Sequence, residues 1–134
     1  MGRFEASWFD ALGAALARDP LYRRISGHFG ARILFQEGDR AAIVRLESGR
    51  IAEAQAPPPL TAPWDFALRG DAAAWDDFLA PVPRPGCQSI FALAKAGRMR
   101  AEGNWLVLIQ NLWALTRFLE LMRAHAEAAR HAAS

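Results

Sequence analysis

The sequence predicts a single α+β domain, a sandwich of helices on an antiparallel meander, and three observations lead to it. The hydrophobic period is close to four from Phe4 to Leu16 and falls to two from Phe29. Two tight turn signals, Glu37-Gly38-Asp39 and Ser48-Gly49, join the strands that follow, whereas a parallel pair would need a crossover of about a dozen residues. Beyond them, strands and helices alternate too irregularly for a doubly wound parallel sheet.

The first element is an amphipathic helix. Phe4, Trp8, Leu12 and Leu16 share one face, with Asp10 and Arg18 on others, and Asp19-Pro20 ends it. A short helical piece, Leu21 to Ser26, leads to the turn at Gly27. In the first strand Phe29, Ala31, Ile33 and Phe35 face one side, with Arg32, Leu34 and Gln36 opposite. The second sets Ala42, Val44 and Leu46 against Ile43, Arg45 and Glu47, and the third runs from Arg50 to Ala54. Pro57, Pro58, Pro59 and Pro63 mark an extended surface connection.

Phe66 and Leu68 then indicate a fourth strand, and Asp71 suits the cap of a helix carrying Trp75, Phe78 and Leu79. Pro81, Pro83, Pro85 and Gly86 break the chain before a short helix, Ser89 to Ala94. A brief strand spans Arg98 to Ala101, and Asn104 is placed to cap one long last helix. The alanine-rich tail after Arg123 extends that helix and is expected to fray at its end.

A chain of 134 residues is the usual size for one domain, and 52% hydrophobic with 22% charged residues makes it rich in apolar groups. The formal net charge of +2 is spread along the chain without a basic run, which argues against a nucleic-acid partner. Cys87 is alone, so no intramolecular disulfide or thiolate metal site is expected, and a reducing, cytoplasmic setting fits. The N-terminal MGRFEASWFD has no secretory character, and Gln110, Asn111, Arg117 and Glu120 interrupt the most apolar segment, so no membrane span is expected.

That last segment is the most informative. On a helical wheel Trp105, Leu108, Ile109, Leu112, Leu115, Leu119 and Met122 form a broad stripe, Leu106 and Trp113 a second flank, and Val107 and Phe118 another side. A sheet covers one side of such a helix only. Neighbouring helices, a bound ligand or a protein partner could cover the rest, and composition does not choose between them.

Other chemistry is poorly represented. His28 lacks a nucleophile elbow, and His125 and His131, six residues apart, share no helix face suited to a metal. Asp76-Asp77 reads as a solvated edge, Cys87 as an exposed thiol without a basic neighbour, and Arg98 and Arg100 as a strand edge or an anion contact. No cofactor and no catalytic residue is expected.

From Gly30 to Met122 the chain resembles the sterol carrier protein type 2 family, small lipid-binding domains found alone or fused to enzymes. Four stretches carry the likeness in order: the hairpin with ESGRIAEA, then DFALRGDAAAWDDFLA, AGRMRAEGN and WLVLIQNLWALTRFLELM. The resemblance implies a five-stranded, mostly antiparallel sheet covered by helices, with a hydrophobic tunnel under a long C-terminal helix. It also implies carrying or presenting a fatty acid, acyl-coenzyme A ester or sterol-like molecule rather than catalysis. The chain departs from better-studied members in its PVPRPG connection and in ending Ala-Ala-Ser, without a peroxisomal address.

With that likeness, residues 1–28 form an N-terminal helical segment, 29–123 the lipid-binding core and 124–134 the tail, all in one domain. Enclosing about 300 Å² of apolar ligand surface gains roughly 7 kcal/mol before entropy costs, enough for micromolar binding. The expected lining residues are Ile33, Phe35, Val44, Leu46, Phe78, Ile90, Phe91, Leu108, Leu112, Leu115 and Leu119. The competing expectation is an interaction module whose apolar last helix packs on a second copy or on an enzyme partner.

Overall fold

A computed structural model describes residues 2–133; Met1 and Ser134, at the outer ends of the N-terminal segment and the tail, lie outside the described residues. The elements are α1 (Ala6–Ala17), α2 (Pro20–Ile25), β1 (Ala31–Glu37), β2 (Arg40–Glu47), β3 (Arg50–Gln55), β4 (Phe66–Gly70), α3 (Ala72–Phe78), α4 (Ile90–Lys95), β5 (Met99–Gly103), α5 (Trp105–Gln110) and α6 (Leu112–Ala133). The five strands form one sheet in the order β3-β2-β1-β4-β5. Three neighbouring pairs are antiparallel and β1–β4 is parallel, which gives the α+β class with a mostly antiparallel sheet.

The period-two pattern determines the sheet's faces. Ile33, Phe35, Ala42, Val44, Leu46, Phe66 and Leu68 point to the helical side and are buried. Helix α1 lies against β3 and α6. Phe4, expected on the helix face, instead lies before the helix with φ 67°, yet with Trp8 and Phe9 of α1 it forms a ring cluster with Phe35 and Trp75, and Phe35 stacks on Phe118 of α6 at 6.1 Å and 14°. The Trp75 indole donates to the Gln36 carbonyl at 2.8 Å, pinning α3 to β1.

The opposite face carries a smaller apolar group, Leu34, Ile43 and Ala67, and the proline-rich connection covers it with Ala62 and Trp64. That connection is therefore a strap across the sheet rather than a plain surface link. Asp65 fastens it: its carboxylate accepts from the Arg32 amide at 2.7 Å and its own amide donates to the Arg32 carbonyl at 2.8 Å.

The segment expected to be one apolar helix is two. At Asn111 the amide reaches back three residues to the Leu108 carbonyl, and the side-chain amide donates to the Val107 carbonyl at 2.9 Å. The local bond competes with the helical ladder and the chain turns before α6 begins. The stripe predicted from a continuous wheel is consequently broken: Leu108, Leu115, Leu119 and Met122 are buried, while Trp105 and Ile109 are about half exposed. Phe118, assigned from the wheel to a different side, is at the centre of the core.

Ion pairs fasten the periphery. Arg117 of α6 donates to both Asp19 oxygens, from Nε at 3.0 Å and Nη2 at 2.7 Å, and the same carboxylate caps α2 by accepting from the Tyr22 amide at 2.8 Å. Arg3 bridges Glu37 and Asp76. Asp77 is not a solvated edge: Arg84 and Arg98 reach it at 2.8 and 2.7 Å, with Arg98 the chief reason its carboxyl lies below the usual range. Cys87 is buried beside Arg98, 3.7 Å from Nη1, and so is neither exposed nor without a basic neighbour.

Candidate functional site

Two apolar depressions flank α6. The first, a cleft of about 160 Å³, is lined by Phe78 from α3, Gln88 and Ser89 from the preceding loop, Ile90 and Phe91 from α4, and Thr116, Leu119, Glu120 and Arg123 from α6. Helix α4 is set opposite α6 by its cap, in which Ser89 Oγ accepts from the Ala92 amide at 3.0 Å. Arg123 holds the cleft's edge: its guanidinium lies 4.9 Å over the Phe78 ring and donates to the Phe78 and Gln88 carbonyls. Burial lowers its pKa from the usual arginine value, with Glu120 acting in the opposite sense.

The second depression, a groove of about 440 Å³, lies between α2 and the start of α6. Leu21, Ile25, Leu112, Trp113, Thr116, Arg117 and Glu120 line it. The Asp19–Arg117 bridge forms one end of its frame and fixes α2 against α6. Trp113 is 80% exposed and Leu21 48%, which is unusual for such large apolar side chains on adjoining elements. Thr116 and Glu120 border both depressions, so the outward ridge of α6 separates them.

The expected lining residues divide into three groups. Phe78, Ile90, Phe91 and Leu119 come together in the cleft, and Leu112 belongs to the groove. Ile33, Phe35, Val44 and Leu46 lie on the helical side of the sheet, no more than 2% exposed, with Phe35 enclosed by Phe4, Phe9, Trp75 and Phe118. Leu108 of α5 and Leu115 of α6 are buried in the core. Leu21, Ile25 and Trp113 were not among the expected lining residues. The i,i+4 spacing of Leu21 and Ile25 on a short helix was the available sign of an apolar edge on α2.

The histidines stand apart. His28 is exposed on the turn before β1. His125 packs its ring on Trp8 at 4.8 Å and bonds the Trp8 carbonyl at 3.2 Å, and burial lowers its pKa. Among the described residues no group of three or more histidine, cysteine or carboxylate side chains is placed to hold a metal ion, and no helix is long and apolar enough to cross a membrane.

No protein-family model and no curated protein sequence matches the chain. Among solved structures it is similar to a crystal structure of sterol carrier protein 2, with a TM-score of 0.72 and 18% identity over 91% of this chain and 98% of that one. A solution structure from Thermus thermophilus, a conserved hypothetical protein described as a candidate sterol carrier protein, gives a TM-score of 0.71 and 19% identity over 93% and 90%. A UbiJ-SCP2 ubiquinone synthesis protein gives 0.54 and 14% over 84% and 90%. At these identities the likeness is one of fold, and the chain has the sterol carrier protein 2 fold.

Proposed function

We propose that this chain, built on the sterol carrier protein 2 fold, binds a lipid-like or other hydrophobic small molecule and performs no chemistry on it. The observation that carries the reading is the pair of depressions along α6, in which apolar side chains from α2, α3, α4 and α6 converge beside polar and charged groups such as Thr116, Arg117, Glu120 and Arg123. The groove's volume of about 440 Å³ is in the range of small-molecule sites, roughly 300–1,000 Å³, and the cleft beside it would take one end of an elongated ligand. A fatty acid, an acyl-coenzyme A ester or a sterol-like molecule has the required apolar body. The names of two similar structures, which are sterol carrier proteins or candidates for one, support the same class.

In this reading Phe78, Ile90, Phe91, Leu112 and Leu119 meet the ligand directly. Ile33, Phe35, Val44, Leu46, Leu108 and Leu115, all buried, form the packed wall behind them. The lone, buried Cys87 suits a reducing cytoplasm. The test is to denature the purified protein, identify extracted lipids by mass spectrometry, and titrate the emptied protein with a fluorescent fatty acid. Saturable uptake in the micromolar range is expected; absence of both co-purified lipid and saturable uptake overturns the reading.

One observation favours a second reading, an accessory module bound to a second copy or to an enzyme. Trp105, Leu106 and Ile109 of α5 are 50%, 65% and 56% exposed and line neither depression. Light scattering separates the two readings. A dimer that Leu106→Glu dissociates while fatty-acid uptake persists supports the module.

A further inference from the structure

A third depression has a different chemical character and lies away from α6. It occupies about 420 Å³ between the second half of α1, α2 and the β2–β3 turn, and is lined by Gly13, Leu16, Ala17, Tyr22, Arg23, Ser26, Ser48, Gly49 and Arg50. The floor is apolar, with Leu16 and the Tyr22 ring each 2% exposed. At the rim stand two cations, Arg23 and Arg50, and no lining residue is acidic.

Most arginines of this protein have partners, including Arg3, Arg45, Arg69, Arg84, Arg98 and Arg117. Arg23 and Arg50 enter none of the ion pairs or side-chain hydrogen bonds among the described residues. The nearest acid in sequence to Arg23 is Asp19, and Arg117 already occupies both of its oxygens. Glu47, three residues before Arg50, is taken by Arg45. The positive charge at this mouth is thus left uncompensated by the protein.

The walls are also held in place. Among the described residues Ser26 is the one buried polar side chain, and the neighbouring Tyr22 hydroxyl donates to the Gly49 carbonyl at 2.6 Å. The turn backbone sits so close that a Cβ on Gly49 would fall 2.2 Å from Ser26 Oγ. Ser48, at φ 50°, occupies the left-handed region that a non-glycine residue seldom adopts. A fixed, concave wall with hydroxyls, an apolar floor and two unpaired guanidinium groups matches an anion that carries a compact apolar body.

We propose that this pocket binds an organic anion, a phosphate monoester or carboxylate on a small apolar group, independently of the hydrophobic ligand at α6. The probe is phenyl phosphate, followed through backbone amide shifts in a nitrogen–proton correlation spectrum, with benzoate and uncharged phenol in parallel. Saturable shifts at Ser26, Ser48 and Gly49 are expected for at least one anion, at least tenfold tighter than for phenol. Arg23→Gln combined with Arg50→Gln should weaken the anion at least tenfold with an unchanged circular dichroism spectrum. Competition by phosphatidylglycerol vesicles would identify the anion's source as a lipid headgroup, and its absence a soluble metabolite. Phenol binding as tightly as both anions, or a double variant binding as the parent does, overturns the proposal. Fatty-acid uptake at α6 is measured on the same samples and should not change, so failure here is distinct from failure of the hydrophobic-ligand reading.

Discussion

Replacing Asp19 tests how the α2–α6 frame is held. Its carboxylate accepts from the Tyr22 amide and from two Arg117 nitrogens, at 2.8, 3.0 and 2.7 Å, and 14% of the side chain is exposed. Loss of a helix N-cap costs about 1 kcal/mol. Loss of a hydrogen-bonded charge pair that is largely shielded costs about 1–2 kcal/mol more, reduced because Arg117 retains Glu120 at 2.8 Å. Asp19→Ala should therefore destabilise by about 2–3 kcal/mol, and Asp19→Asn, which keeps an acceptor for the cap, by about 1–2 kcal/mol. With a urea slope near 1.5 kcal/mol per molar, the Ala variant's midpoint falls by about 1.3–2 M. Urea titrations read by tryptophan fluorescence and circular dichroism measure this, and a cycle with Arg117→Met isolates the pair. A coupling below about 0.3 kcal/mol, or equal stability of the Ala and Asn variants, would refute the division into cap and bridge.

The same residue has a pH signature. Arg117 is the main cause that holds the Asp19 carboxyl below its ordinary value, with the Tyr22 amide assisting and burial opposing. A depressed carboxyl stabilises the fold above its unfolded pKa, near 3.9, and this contribution is lost as pH falls through the lower folded value. The acid limb of the stability profile should therefore be shallower in Asp19→Asn.

Three further outcomes follow from the packing. His125, its pKa lowered by burial against Trp8, binds fewer protons folded than unfolded, so stability should decline as pH drops below about 6.5, and His125→Gln should flatten that limb in urea titrations. Gly49→Ala sets a Cβ 2.2 Å from Ser26 Oγ at a φ of 80° and should cost about 2 kcal/mol or more, seen as a lower thermal midpoint. Leu119→Trp, filling the cleft it lines with Phe78, Ile90 and Phe91, should weaken fluorescent fatty-acid uptake at least tenfold while circular dichroism stays unchanged.

Much of the fold was legible because local physics and burial agree. The change of period at Phe29, the two turn signals, and the caps Asp71 and Asn104 locate elements directly, and both caps accept backbone amides, at 2.8 and 3.2 Å. The parallel β1–β4 pairing was not legible, because it depends on where the proline-rich strap crosses the sheet, and that is decided by Trp64 and Asp65 meeting residues far away in sequence. The break at Asn111 leaves little trace in the sequence, because asparagine inside a helix carries only a mild penalty until its side chain finds a carbonyl. Asp19 and Arg117, 98 positions apart, could not be paired from spacing. Of the candidate site, the α3, α4 and α6 residues of the cleft were legible as apolar positions on helices. Leu21, Ile25 and Trp113 gain their significance only when α2 is set against α6.

The stacking of Phe118 on Phe35 bears on the order in which the chain emerges from the ribosome. The β1–β3 meander is assembled from near neighbours and can form early, with Phe4 and Phe9 from upstream available to pack on Phe35, yet the part of its apolar side that Phe118 covers is closed only by a segment more than 80 positions later. During that interval the incomplete domain exposes part of an aromatic surface, the kind of transiently open apolar patch that favours association between unfinished chains.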